Sequence, residues 1–225
     1  MVEITIYFEG GTHPNNLTNR ENAAQTSENT NRLRDSFSKL FNSIFDEEKV
    51  KIKTEPVFSN LNAAKSFKNR VVFGNCFLLI DLDNHTKTQR LDEFDLKIFQ
   101  EFVFFMVKAT EAWILSQPEK IEEVFGKYRN EAKKHEKISE YHEIKGKKGK
   151  DFEQIVEPDT VLDKLLKEYF EETKFSKSIR ENITIPLKYG KLKNAPDLIA
   201  KLDIKKLSEN FEDVKNLIER IKNIS

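Results

Sequence analysis

The segment that most constrains the fold is residues 77–83, in which four apolar residues are followed by Asp81, Leu82 and Asp83. An unbroken apolar run of this length predicts a buried strand. Side chains two residues apart in a strand share a face, so both aspartates can point off the same strand end, where α/β sheets place their ligand sites. Such a pair is stable if one carboxyl is protonated or if a cation lies between them, and Mg²⁺ or Mn²⁺ suits these oxygen ligands. The alternative is a strand end that only starts a turn or caps a helix.

The surrounding pattern predicts an α/β fold, with a mostly parallel sheet flanked by helices. Strand patterns alternate with helical spacing over residues 1–126, which is the signature of βα units. We expect strands at residues 2–8, 49–58, 71–83 and 102–107, and helices at 29–45, 60–69 and 110–125, the last interrupted at Pro118. This part of the chain is the predicted α/β core.

The remaining sequence divides into two further predicted segments. Residues 127–157 are charged and rich in lysine, which is typical of a solvated connector or of a patch that binds a nucleic-acid backbone. Lys147 and Lys148 are the candidates for such a patch. Residues 158–225 show helical spacing and are expected to form a mainly helical region packed on the core, ending in one long amphipathic helix from Ile204 to Ile221.

Composition sets limits on function. Lysine plus arginine and aspartate plus glutamate both number 38, so any nucleic-acid surface must be local. Cys76 is the only cysteine, which excludes an intramolecular disulfide. No apolar run approaches the length of a membrane span and the first residues do not form a signal pattern, so we expect a cytoplasmic protein without a membrane partner.

A second strand end also carries an acid. The predicted first strand ends in Glu9, followed by Gly10 and Gly11, which permit a sharp turn. The polar stretch 12–31 is expected to be a loop, either a simple insertion or a substrate contact. Arg34, in the helix that follows, could bind phosphate or make a surface ion pair.

These residues together resemble the Toprim fold, the catalytic core of topoisomerases, primases and OLD nucleases. In that family one strand ends in Glu-Gly, as at Glu9-Gly10, and a later strand ends in Asp-x-Asp, as at Asp81 and Asp83. Further blocks resemble a group of small stand-alone Toprim-like proteins of unknown function: Leu33-Arg34, Met106 to Trp113, Val156-Glu157-Pro158 and Tyr189-Gly190-Lys191.

The resemblance implies metal-dependent cleavage of phosphodiester bonds. It implies that Glu9, Asp81 and Asp83 hold Mg²⁺ or Mn²⁺, that Glu111 is a further catalytic acid, and that Lys191 contacts the nucleic-acid backbone. Glu111 is equally well explained as an acid favoured by the first turn of a helix. His13 and His85 are candidate proton shuttles or ordinary surface residues, and Trp113 is expected in the core.

The resemblance also implies partners. Toprim proteins of this size are often encoded beside an ABC-type or AAA ATPase, which predicts the effector nuclease of an ATPase-linked anti-phage defence system with a DNA or RNA substrate. Two other functions stay open: a non-catalytic or partner-dependent Toprim regulatory subunit, since the acid expected soon after Asp83 is absent, and a hydrolase of a small phosphorylated molecule.

Overall fold

A computed structural model describes residues 1–10, 20–46, 48–57, 59–176, 178 and 180–224. The elements run in this order: β1 (Val2–Glu9), α1 (Arg20–Asn42), β2 (Val50–Val57), α2 (Asn60–Arg70), β3 (Cys76–Asp81), α3 (Lys87–Glu93), β4 (Val103–Met106), α4 (Thr110–Leu115), α5 (Pro118–Phe125), α6 (Pro158–Tyr169), β5 (Glu171–Ser176), β6 (Glu181–Pro186), α7 (Lys191–Ile199), α8 (Ile204–Asn210) and α9 (Glu212–Lys222). Short 3₁₀ turns lie at Lys97–Phe102 and between α5 and α6.

The centre of the fold is a four-stranded parallel sheet in the order β2-β1-β3-β4. Every residue of β3 is buried, as its unbroken apolar run predicts. The α/β prediction is therefore confirmed, and a parallel sheet flanked by helices is consistent with a Toprim-like arrangement. Because all four strands run the same way, their carboxyl ends meet at one edge of the sheet.

Alternate residues of β3 point to opposite faces of the sheet, so both faces are apolar. Helices cover both of these faces. Phe77 and Leu79 belong to one apolar cluster, which includes residues of α1, α4, α6 and α9. Leu78 and Ile80 belong to the other, with α2 and the turn before β4. Trp113 is fully buried in the first cluster, which confirms its predicted place in the core.

The segment between α5 and α6 is better packed than a solvated connector would be. Five of its residues are buried in the same cluster as the sheet: Ile138, Tyr141, Ile144, Phe152 and Ile155. Ile138 and Phe152 lie in short 3₁₀ turns and the other three in the turns and loops beside them, so their spacing follows no helical or strand period. Hydrophobic periodicity therefore does not reveal them, and the expectation of a solvated connector is wrong for these five residues.

Three other expectations need correction. Helix α1 begins at Arg20, so the second half of the predicted 12–31 loop is helical, while residues 12–19 lie outside the described part of the chain. The predicted C-terminal helix is two helices, α8 and α9, separated by Phe211, whose backbone is extended (φ −125°, ψ 114°) and whose ring is buried. The segment after α6 forms a hairpin, β5–β6, within the region that was expected to be mainly helical.

Among the described helices, none is both long and apolar enough to cross a lipid bilayer.

Candidate active site at the carboxyl edge of the sheet

The site is a cavity of about 880 Å³ at the carboxyl ends of β3 and β4. One side is formed by the turn after β3 and the loop between β4 and α4, and the other by α6 and the segment that enters α7. Its charged and phenolic lining residues are Asp81, Asp83, Lys108, Glu111, Glu157, Asp159, Asp163, Lys167, Lys188, Tyr189 and Lys191. The cavity therefore joins the predicted core to the C-terminal region.

Asp81 lies at the base of this site, at the last position of β3, and is only 4% exposed. Its Oδ1 atom is buried and accepts no hydrogen bond, while its Oδ2 atom lies 3.8 Å from the Lys191 ammonium. Burial raises the pKa of Asp81 to about 7; Lys191 opposes this shift, and the carboxylates of Glu9, Glu111 and Asp83 add to it. A buried, repelled carboxylate with a free oxygen is a position that favours a cation or a proton.

A second unpartnered oxygen lies beside Asp81. Asn60, the first residue of α2, is buried, and its amide donates to the Asp81 carbonyl oxygen at 3.4 Å. Its own side-chain oxygen has no hydrogen-bond partner. Nothing in the sequence around Asn60 distinguished it from an ordinary helix-start residue, because only its position beside β3 makes it notable.

Glu9 ends β1, next to β3 in the sheet, and is half-buried. Burial raises its pKa, with Lys191 opposing the shift and Asp83 contributing to it. The chain can leave the strand here because residue 10 is glycine: a Cβ atom at Gly10 would lie 2.9 Å from the Leu33 side chain. The two strand ends chosen from the sequence therefore do bring Glu9 and Asp81 into one electrostatic cluster.

Asp83 lines the cavity, but it does not lie in the strand as predicted. Strand β3 ends at Asp81, and Asp83 lies in the following turn with a left-handed backbone (φ 50°), so strand alternation does not place it. Its carboxylate forms an ion pair with Arg90, which is buried and also binds Glu93. Arg90 lies in α3, a helix that starts at a Thr86 capping box.

Glu111 lies in the first turn of α4 and is 1% exposed. Its Oε1 atom accepts a hydrogen bond of 2.8 Å from the Tyr189 hydroxyl. The Tyr189 backbone N–H in turn donates to Asp163 of α6 at 3.0 Å. Burial, together with the Glu111 carboxylate, raises the pKa of Tyr189 well above its usual value, so the phenol stays a hydrogen-bond donor.

Lys191 begins α7, and its ammonium is the cation nearest to Asp81 in the cluster. Burial disfavours the charged ammonium, but the carboxylates of Glu111, Asp81, Glu9 and Asp83 outweigh that effect and raise its pKa. Lys191 therefore stays charged and stabilises acids that would otherwise repel each other. Its place in the site was expected from the family resemblance only.

Backbone strain is concentrated around the cavity. Asp83, Lys108, Ala109 and Glu157 all line it, and all have positive φ angles although none is glycine. Such residues cost on the order of 1–3 kcal/mol each and persist where the surroundings fix them, often at functional sites. The strained positions support the view that this edge of the sheet is shaped for a ligand.

The oxygen atoms of this acid cluster are of the chemical type that a hard divalent cation binds. Asp81 offers a buried oxygen without a hydrogen-bond donor, and Glu9, Asp83 and Glu111 supply further carboxylates, which are the ligands that Mg²⁺ and Mn²⁺ prefer. Within the described ranges, no three histidine, cysteine, aspartate or glutamate side chains are already spaced to hold a metal ion.

One family of known sequences matches most of this chain. The model of a domain of unknown function, DUF4276, matches residues 20–222. The chain belongs to the DUF4276 family. The DUF4276 match includes Asp81, Asp83, Glu111, Tyr189 and Lys191, whereas Glu9 precedes it. No curated protein and no solved structure matches the chain.

Several candidates of this DUF4276 chain lie away from the cavity. Arg34 forms an ion pair with its neighbour Asp35, and neither Lys147 nor Lys148 lines the cavity. His85 is exposed and is not a lining residue, and His13 lies outside the described residues. The acids and Lys191 are thus brought together, and the other basic candidates are not.

Proposed function

We propose that this protein is a metal-dependent phosphodiesterase that cleaves DNA or RNA. The observation that carries the proposal is the Asp81 carboxylate, buried at a parallel-sheet edge with one oxygen free and with three further carboxylates acting on it. A hard divalent cation would relieve that repulsion. The parallel α/β sheet and the strained residues of the cavity support the same conclusion.

Asp81, Glu9 and Asp83 are the residues that would hold the cation, and Glu111 is a candidate further ligand. When bound, Mg²⁺ or Mn²⁺ would supply Lewis-acid activation of the phosphate and of a water nucleophile. Glu9 has two possible roles, as a further metal ligand or as the base that takes a proton from the attacking water.

The remaining residues of the site hold the acids in place and neutralise negative charge. Lys191 contributes a fixed positive charge toward the phosphate. The Tyr189 hydroxyl holds one oxygen of Glu111 and leaves the other available. Arg90 restrains Asp83 in its left-handed turn.

The biological setting proposed from the Toprim resemblance is an effector nuclease that works with an ABC-type or AAA ATPase in anti-phage defence. The nucleic-acid substrate and the ATPase are the two proposed partners. Co-purification of the chain with the ATPase encoded beside it would support this setting, and a genome position without such a gene would oppose it.

One observation favours a second candidate, a non-catalytic or partner-dependent subunit. The Lys191 ammonium already lies among the acids, 3.8 Å from Asp81, and a resident cation of this kind can stabilise an acid cluster without a metal. In that case the cavity would keep its shape but would not perform hydrolysis alone.

The two candidates are separated by a cleavage assay on plasmid DNA, single-stranded DNA and total RNA with Mg²⁺, Mn²⁺ or EDTA. The proposal expects cleavage with metal that disappears in the Asp81→Asn variant. The matched control is Asp35→Asn, which removes one exposed carboxylate outside the cavity and should leave cleavage unchanged. If the protein, with its neighbouring ATPase added, gives no metal-dependent cleavage that requires Asp81, the nuclease function is rejected.

A further inference from the structure

Two acids of the site are buried inside the cavity, whereas Asp83 is exposed, and the burial of these two restricts which substrate can reach them. Asp81 is 4% exposed and Glu111 is 1% exposed, although both line the cavity. A cation held by these carboxylates binds oxygen at about 2.0–2.6 Å, so the scissile phosphate would have to enter the cavity itself.

The cavity is of the size that holds one small ligand. Its volume of about 880 Å³ falls in the range of pockets that enclose drug-sized molecules, which are comparable with one or two nucleotides. A double helix is stiff over roughly 150 base pairs, so its backbone cannot fold into such a pocket without strand separation. A single strand has no such restriction.

The cavity also carries two lysines that are available for a polyanion. Lys191 is engaged with Asp81, and Lys167 forms an ion pair with Asp163. Lys108 and Lys188 also line the cavity, and among the described residues neither forms an ion pair; Lys108 donates only a hydrogen bond of 3.5 Å to the side-chain oxygen of Asn84. Lys108 follows β4 and Lys188 precedes α7, so the two come from opposite walls.

We infer that the substrate is a single-stranded polynucleotide, with one phosphate at the acid cluster and flanking phosphates on Lys108 and Lys188. This inference rests on the proposed function and specifies its substrate class. DNA and RNA strands share this chemistry, and the test includes both.

The test measures binding by fluorescence anisotropy, with a labelled oligonucleotide and the full-length Asp81→Asn protein in Mg²⁺, so that cleavage does not interfere. We expect the single strand, as DNA or as RNA, to bind at least about tenfold more tightly than the blunt duplex of the same sequence, a difference of 1.4 kcal/mol. Equal or tighter binding of the duplex would overturn the inference.

Two double variants made in that background identify the contacts. Lys108→Ala with Lys188→Ala should weaken binding of the single strand. The negative slope of log K against log salt should become shallower by about 1.4, since each phosphate contact to a single strand contributes about 0.7 to its magnitude. Lys147→Ala with Lys148→Ala removes the same charge outside the cavity and should leave the slope unchanged. A larger effect of the second pair would contradict the inference.

Failure of the inference and failure of the proposed function give different results. Hydrolysis of bis(p-nitrophenyl) phosphate with Mn²⁺ by the unmodified protein, combined with no preference for single strands, would reject the substrate class alone. A single-strand preference that depends on Lys108 and Lys188, without metal-dependent cleavage of any phosphodiester, would reject the enzyme and keep the binding mode.

Discussion

Two lysine-containing regions of this protein differ in what surrounds them. The lysines at positions 145–150 are adjacent in sequence, yet Lys145 pairs with Glu140 and Lys150 pairs with Glu212 at the surface. The cavity lysines come from three distant parts of the chain and meet around buried carboxylates. Charge that is contiguous in sequence is thus partly neutralised by exposed acids, whereas Lys191, which the fold brings to the cavity, lies 3.8 Å from a buried carboxylate.

The largest expected effect is a change of stability with pH, caused by the buried Asp81 carboxyl of the cavity. Folding raises the pKa of Asp81 from 3.8 to about 7, so the folded state binds more protons than the unfolded state between these values. The metal-free protein should therefore lose stability as pH rises from about 4 to about 7, by up to about 4 kcal/mol from this group. The measurement is urea unfolding as a function of pH, with EDTA, for the natural sequence and for Asp81→Asn.

The difference between the two proteins isolates Asp81 from the other titrating groups. Asp81→Asn should be the more stable of the two at pH 7 and should lose that advantage toward pH 4. Parallel pH profiles would contradict the raised pKa of the buried Asp81 carboxyl.

The next largest effect is expected on the cleavage rate when one lysine is removed from each region. Lys191→Met should lower phosphodiester cleavage by about 10²-fold, the usual result of removing one preorganised charge from a site where negative charge develops. Lys150→Met removes a surface lysine that also pairs with an acid and should leave the rate unchanged. Initial rates at saturating metal measure both, and equal effects would remove the distinction between the two regions.

A smaller effect is expected from the residue that positions Glu111. Tyr189→Phe deletes the hydroxyl that donates to Glu111 Oε1 and should weaken Mn²⁺ affinity or activity about 10- to 100-fold, as is usual for partners of metal ligands. Titration of Mn²⁺ by electron paramagnetic resonance measures affinity independently of turnover. The control is Tyr128→Phe, outside the cavity; a lower melting temperature without a change in Mn²⁺ affinity would show that Tyr189 is only structural.

The smallest effect is expected at Lys148, which is exposed and outside the cavity. Lys148→Ala should change the free energy of unfolding by less than about 0.5 kcal/mol, because the side chain is exposed and the hydrogen bond to Asp151 comes from the backbone N–H, which alanine keeps. Chemical denaturation measures it. A large loss of stability would show that the 145–150 region is more tightly integrated than its exposure indicates.

The sequence by itself determined the sheet and the strand ends. An unbroken apolar run has few alternatives to a buried strand, and a parallel sheet places its carboxyl ends at one edge, so Glu9 and Asp81 could be brought together by reasoning alone. The break between two helices at Pro118 was equally predictable, because proline is favourable in the first turn of a helix and unfavourable inside one.

Only the tertiary structure decided the second wall of the cavity. Tyr189 meets Glu111 across 78 positions of the chain, and Asp81 meets Lys191 across a still longer separation, so no local pattern predicts either contact. The buried residues of the 3₁₀ turns escaped for a related reason, since they follow no period. Local propensity and periodicity act over a few residues, whereas burial, the raised pKa of Asp81 and the free cavity lysines depend on which distant surfaces pack together.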